Sequence, residues 1–157
     1  MGSMLAVIGP GDAADPRLLT VAHSVGREVA EHGTALVCGG LGGVMEAACR
    51  GARERGGLTV GLLPGLDRRA ANPYVDVAVP TGLGQGRNLL VVRAADAVIA
   101  VGGSWGTLSE VALACRDGKR VVSLSGWQVS DTQGGTVPGV TPAADAGQAV
   151  LLALGER

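Results

Sequence analysis

The densest chemistry in this sequence lies in the segment Val101-Gly-Gly-Ser-Trp-Gly-Thr-Leu-Ser-Glu110. Gly102, Gly103 and Gly106 allow a tight turn that offers successive N–H groups, and Ser104 and Thr107 add hydroxyl donors. With a strand running in and a helix leading out, the helix N-terminus adds partial positive charge, and the segment becomes a cradle for a phosphate. Its spacing fits neither the triphosphatase P-loop nor the dinucleotide fingerprint. The only lysine, Lys119, sits at the far end of the same helix. Glu110 admits two readings. Thr107-Leu-Ser-Glu110 has capping-box spacing, which would bond the carboxylate back to the Thr107 N–H, and the same carboxylate could equally face the site.

Two other glycine turns complete a rim. Cys38-Gly-Gly-Leu-Gly-Gly-Val-Met-Glu46 sets Gly39, Gly40, Gly42 and Gly43 where backbone can come close to a sugar or phosphate. Met45 and Ala48 read as sheet-packing residues, and Glu46 as either a first-turn partner of the helix dipole or a catalyst. Gly9-Pro-Gly11-Asp12 adds Gly9 and Gly11, with Asp12 its only charge. Arg87 follows Gly82-Leu-Gly-Gln-Gly86 at an expected helix start, where a cation opposes the dipole; an Arg held against its local preference is a candidate to meet an anion. Trp105 reads as a ring that stacks on a base, a half-exposed lid or a subunit contact, and Trp127 shares that ambiguity. His23 and His32 are too far apart on one helix to share a metal and read as surface or packing residues.

The elements that must position these turns are legible as short apolar runs between glycines. Strands are expected at residues 5–9, 35–39, 58–63, 97–101 and 120–124, with a short edge strand at 75–79 closed by Pro80. Asp15 and Pro16 start a helix that Gly33 stops, with Leu18, Ala22, Val25 and Val29 on one face. Further helices are expected near 43–55, 87–95 and 107–117. Residues 126–138 read as a loop, and Thr141-Pro142 as the cap of a last helix reaching Leu154. Continuous apolar strands alternating with amphipathic helices predict an α/β fold, a doubly wound, Rossmann-like parallel sheet in three layers with strand order 3-2-1-4-5. Ligands of such sheets bind where the order reverses, here between the strands ending at Gly9 and Val101.

The 157 residues suit one domain, 1–157, with Met1 to Ser3 read as an expression remnant ahead of Met4. A net charge of -1 gives little reason for a nucleic-acid path, and no apolar run reaches membrane-helix length. Cys38, Cys49 and Cys115 show no close pair and no zinc spacing. They predict reduced, buried thiols, a cytoplasmic protein and no protein-bound metal. Apolar runs at Leu89-Leu90-Val91-Val92 and at Leu151, Leu152 and Leu154 are wider than one packed face and predict a homodimer.

In order and strand context, CGGLGGVM, Arg87-Asn88 and VGGSWGTLSE together resemble the motifs of the LOG-like (formerly "lysine decarboxylase-like") Rossmann family. The resemblance covers nearly the whole chain and is closest to the short bacterial branch that includes molybdenum cofactor carrier proteins. Cys38, Asn88 and Val101 stand where the family's enzymes have a glycine, a lysine and a proline. The resemblance implies Arg87 and Glu110 as the catalytic pair, with the phosphate over Gly102 to Thr107. The function it implies is a binding or carrier protein for a phosphorylated ring compound, either a nucleotide or a molybdopterin-type cofactor. The alternative is an N-glycosidase that cleaves nucleoside 5'-monophosphates to base and ribose 5-phosphate.

Overall fold

The computed structural model describes residues 2–156; Met1 of the expected remnant and Arg157 lie outside the described residues. Seven parallel strands form one sheet. In chain order they are β1 (Met4–Ile8), β2 (Ala35–Cys38), β3 (Thr59–Leu63), β4 (Val77–Pro80), β5 (Ala97–Val101), β6 (Arg120–Leu124) and β7 (Val140–Pro142). The spatial order is β4-β3-β2-β1-β5-β6-β7, so the expected 3-2-1-4-5 core is present with one strand added at each edge. β1 and β5 are wholly apolar and flanked on both sides, which is why they read as unbroken hydrophobic runs rather than alternations.

Helices α1 (Pro16–Glu31), α2 (Val44–Glu54) and α5 (Ala146–Leu154) pack with Leu5, Val7, Leu36 and Ile99 on one face of the sheet. Helices α3 (Arg87–Ala94) and α4 (Trp105–Arg116) cover the other face through Val91, Val92 and Ala114 against Ala6, Ile8 and Val98. Three layers result. Within the first layer α1 and α2 meet backbone to backbone. A Cβ on Gly26 would lie 1.9 Å from the Ala48 carbonyl oxygen, and one on Gly51 would lie 2.0 Å from that of His23. These glycines sit mid-helix against their propensity because any side chain would drive the two helices apart.

The expected cap at Thr141-Pro142 is instead an edge strand. Val140–Pro142 pairs with β6 (Val121 with Val140, Ser123 with Pro142), and α5 starts later, capped by the Asp145 side chain accepting from the Gln148 N–H. Pro142 is compatible with the sheet only because it lies on an edge, where its missing N–H costs no ladder bond. Helix α4 also begins two residues earlier than expected, at Trp105 with Ser104 as N-cap. Within residues 126–138, expected as loop, Ser130 and Thr136 form one antiparallel bridge.

Cys38 and Cys49 are free and buried, as expected, but their sulfurs lie in contact at 3.5 Å, which their spacing did not predict, and Cys115 is only half-buried. Among the described residues no helix is long and apolar enough to cross a membrane.

Candidate functional site

The C-terminal ends of β1, β2 and β5 open into one cleft of about 210 Å3 at the point where the strand order reverses. Of the residues singled out from sequence, Gly9, Gly11, Gly39, Arg87, Ser104, Gly106, Thr107 and Glu110 line it. Gly40, Gly43, Gly102 and Gly103 are not among the lining residues, and neither are Asp12 and Glu46. Sequence reasoning did not mark Ile8, Leu41 and Asn88 as lining, and it assigned Met45 to the sheet; all four face the cleft.

The cradle forms because Ser104 caps α4. Its Oγ accepts from the Thr107 N–H at 3.2 Å and meets Thr107 Oγ1 at 2.9 Å, while the Gly102 N–H is taken by the Leu124 carbonyl. The N–H groups of Gly103, Ser104, Trp105 and Gly106 have no acceptor among the described residues. They are the unspent donors of a helix start, and the dipole of a 12-residue helix stands behind them. Gly106 is open on the cleft side, since a Cβ there would meet only Ser104 Oγ, at 3.9 Å.

The same cap decides the two readings of Glu110. The Thr107 N–H is committed to Ser104, so Glu110 closes no capping box. Its carboxyl instead lies against the cleft, 6% exposed and with no hydrogen bond among the described residues. Burial pushes it up to about 7, and the Arg87 charge pulls only partly the other way.

Arg87 is 9% exposed at the first position of α3. Its guanidinium lies flat on Gly39, where a Cβ would fall 2.6–2.8 Å from Nη2, Cζ and Nη1. Nη1 donates to Asn88 Oδ1, and Asn88 Nδ2 reaches Ser109 Oγ at 3.5 Å. Nε is buried without a partner among the described residues. Gly39 is therefore the seat of the arginine as well as part of the cleft wall.

The glycine turn under this arginine is held from two sides. Gly43 adopts φ +60°, and a Cβ there would lie 2.4 Å from the Pro10 carbonyl oxygen, so the turn rests directly on the first loop. Asn72 donates its N–H to the Gly40 carbonyl and its Nδ2 to the Leu41 carbonyl. Nothing in the local pattern around Asn72 signals that role. Gly103 supports Trp127, whose ring a Cβ would strike at 2.4–2.6 Å, and Trp127 meets Trp105 edge to face at 5.3 Å. Neither tryptophan lines the cleft, and Trp105 is 79% exposed. Among the described residues no group of three or more His, Cys, Asp or Glu side chains is placed to hold a metal ion.

With this geometry in hand, similarity to known proteins is informative. A model of the SLOG cluster4 family matches residues 3–150. An uncharacterized protein of Archaeoglobus fulgidus is 45% identical over 120 residues, 76% of this chain and 78% of that one. A cytokinin riboside 5'-monophosphate phosphoribohydrolase of Mycobacterium marinum is 35% identical over 122 residues, 71% of this chain and 65% of that enzyme. The structure of a molybdenum cofactor binding protein from Rippkaea orientalis superposes with a TM-score of 0.89 at 36% identity, covering 99% of this chain and 97% of that one. The molybdenum cofactor carrier protein of Chlamydomonas reinhardtii gives a TM-score of 0.83 at 32% identity, covering 99% and 98%. The motifs CGGLGGVM and VGGSWGTLSE lie within the matched range and build the cleft just described, and the chain belongs to the SLOG cluster4 family.

Proposed function

We propose that this protein binds and carries a phosphorylated ring compound, a nucleotide or a molybdopterin-type cofactor, with its phosphate on the N–H groups of Gly103 to Gly106. The observation that carries this reading is the orphaned Arg87 Nε on the same cleft as a helix start whose donors are unspent. Buried donors in folded proteins nearly always find acceptors, and one bound anion with its neighbouring oxygens supplies them here. A single strong cation suits one phosphate better than three. The solved relatives named for the molybdenum cofactor support a carrier over a hydrolase, as they match nearly end to end. Any metal would arrive within the ligand, since the residues that fit the group are donors to a phosphate. The test is native mass spectrometry of freshly purified protein followed by denaturation: a released phosphorylated heterocycle is expected, and its absence together with no calorimetric binding of AMP counts against the reading.

A substitution localises the phosphate. In Gly103→Val the new side chain meets the Trp127 ring and must displace it or the loop. AMP binding should be abolished while circular dichroism stays native. Unchanged affinity would remove the cradle from these N–H groups.

We further infer a homodimer formed through α3 and α4 beside the cleft. The run at Leu89 splits in the fold: Val91 and Val92 are buried, Leu89 is half-buried and Leu90 is exposed, as is Leu83 before the helix. Leu151, Leu152 and Leu154 are half-buried, with Leu152 and Leu154 packed on the core, so they support the interface less. The cleft of about 210 Å3 is smaller than the roughly 300–1,000 Å3 of complete small-molecule pockets, which leaves part of the ligand for a second copy to cover. Light scattering should return twice the 15.6 kDa chain mass, and a monomer at micromolar concentration would refute the dimer.

A further inference from the structure

Cys38 ends β2, and Cys49 lies in the second turn of α2; their sulfurs are 3.5 Å apart and both residues are fully buried. Neither backbone is free to drift. β2 is hydrogen-bonded between β1 and β3, and α2 is pressed against the α1 backbone at Gly51. The Gly40 N–H also points at Cys38 Sγ, at 3.3 Å. The phosphate cleft uses neither thiol.

We propose that Cys38 and Cys49 are an oxidative modification site, closing reversibly to a disulfide under small two-electron thiol oxidants of the peroxide class and loosening the seat of Arg87 when they do. Cys38 is the attacking sulfur. The Cys49 thiol and the Gly40 N–H donate to it and hold it below the usual thiol range, whereas the Cys38 contact and burial push Cys49 up. The Cys38 thiolate attacks one peroxide oxygen, the O–O bond breaks, and the departing hydroxide takes a proton and leaves as water. The Cys49 sulfur then attacks the Cys38 sulfenic acid, its proton goes to the leaving hydroxyl, and a second water departs. Two thiols lose two electrons and two protons, and one peroxide becomes two waters. Peroxide is close to water in size, so the proposal requires only a small, transient local opening for it to reach Cys38.

Bond formation draws the sulfurs together by about 1.5 Å, to the S–S length near 2.05 Å. Cys38 is covalently next to Gly39, on which the guanidinium rests, and its sulfur is also the acceptor of the Gly40 N–H. The contraction is therefore transmitted to the cleft wall. The coupling half of the proposal rests on the ligand reading above; the disulfide half does not.

The experiment treats the reduced full chain with stoichiometric hydrogen peroxide, then alkylates under denaturing conditions and maps the peptides. The expected product has lost the mass of two hydrogens, carries a Cys38–Cys49 cross-link, and has only Cys115 alkylated. Cys115 is the internal control, on α4 across the sheet with its Sγ against the Gly139 carbonyl. Dithiothreitol should restore three alkylatable thiols. Cys49→Ser should give no cross-link and a Cys38 sulfenic acid that dimedone traps. All three thiols still alkylatable after peroxide, or Cys38 oxidised with Cys49 left alkylatable, would overturn the site. By calorimetry the oxidised protein should bind AMP several-fold more weakly than the reduced one, and equal affinity would overturn the coupling. If even the reduced protein fails to bind AMP, the ligand reading is what fails, and the peptide map still decides the disulfide.

Discussion

Arg87→Ala is expected to lower the affinity for AMP by about 100-fold, with little loss of thermal stability. The binding loss follows from the guanidinium's position. It lies buried on Gly39 with Nε unpartnered among the described residues, and no acid among them hydrogen-bonds or ion-pairs with it, Glu110 feeling its charge only at a distance. A charge-assisted hydrogen bond from such a donor contributes about 1.5–3 kcal/mol, or roughly 10- to 150-fold in affinity, and two parallel bonds reach the upper part of that range. The stability expectation is smaller than for most buried truncations. Removing an unpaired, desolvated cation relieves a cost that only the ligand offsets, so the cavity left by the side chain is compensated. Arg87→Lys should recover little. An ammonium cannot lie flat on Gly39 and hold both Asn88 Oδ1 and a ligand oxygen, so the planar fork matters more than the charge. Titration calorimetry with AMP on the three proteins is the measurement; affinities within threefold of one another would remove Arg87 from the site.

The sequence made Arg87 conspicuous because its defect is local: a cation at a helix start is unfavourable whatever surrounds it. The cradle was legible for the same reason, since glycines and hydroxyls between an apolar run and an amphipathic run have few other uses. Features that depend on which elements become neighbours were not legible. Val140-Thr-Pro142 looks like a helix start to any local reading, and only pairing with β6 makes it a strand. Cys38 and Cys49 are separated by a turn whose path depends on Gly43 resting on Pro10, so their contact has no signature in spacing. Asn72 braces the glycine turn from 31 residues away, and an isolated Asn before a Pro reads as an ordinary loop residue. The two readings of Glu110 could not be separated in the sequence for a subtler reason. Capping-box spacing starting at Thr107 and a helix actually capped at Ser104 differ by three residues, within the uncertainty of any boundary read from sequence.

Glu110→Gln should make the protein more stable at pH 8, indistinguishable from the wild type near pH 4.5, and still able to bind AMP. The carboxyl has an ordinary value of 4.5 and is pushed up to about 7 in the fold, chiefly by burial, with Arg87 opposing. Between those two values the folded protein holds a proton that the unfolded chain releases. Stability is therefore greatest below about 4.5, falls as pH rises towards 7, and is flat above. A shift of this size corresponds to at most about 3 kcal/mol at 1.36 kcal/mol per pH unit, and relaxation around the charge reduces it to about 1–3 kcal/mol. Gln has the same shape and never ionises, so it recovers that loss at pH 8; at about 2–4 °C per kcal/mol for a chain of this size, the melting temperature rises by several degrees. Comparing variant with wild type at each pH cancels the titration of the exposed acids. A buried carboxylate held at such a cost, with no capping box to close, supports the proposal that Glu110 belongs to the site. What it does there is decided by turnover. In a carrier, Gln leaves AMP affinity nearly intact, and neither protein releases adenine at an appreciable rate. In an N-glycosidase the ionised carboxylate stabilises a positively charged ribosyl centre, so adenine release on the order of 1 per second would be lost in Glu110→Gln. Asn88 and Val101, which the LOG resemblance sets in place of a lysine and a proline, should alter how the Arg87 rim is set, and reaction suffers from displacements of about 1 Å far more than binding does. The expected outcome is accordingly intact binding, raised stability above pH 7 and no release of base; a wild-type burst of adenine that the variant lacks would make the protein a hydrolase.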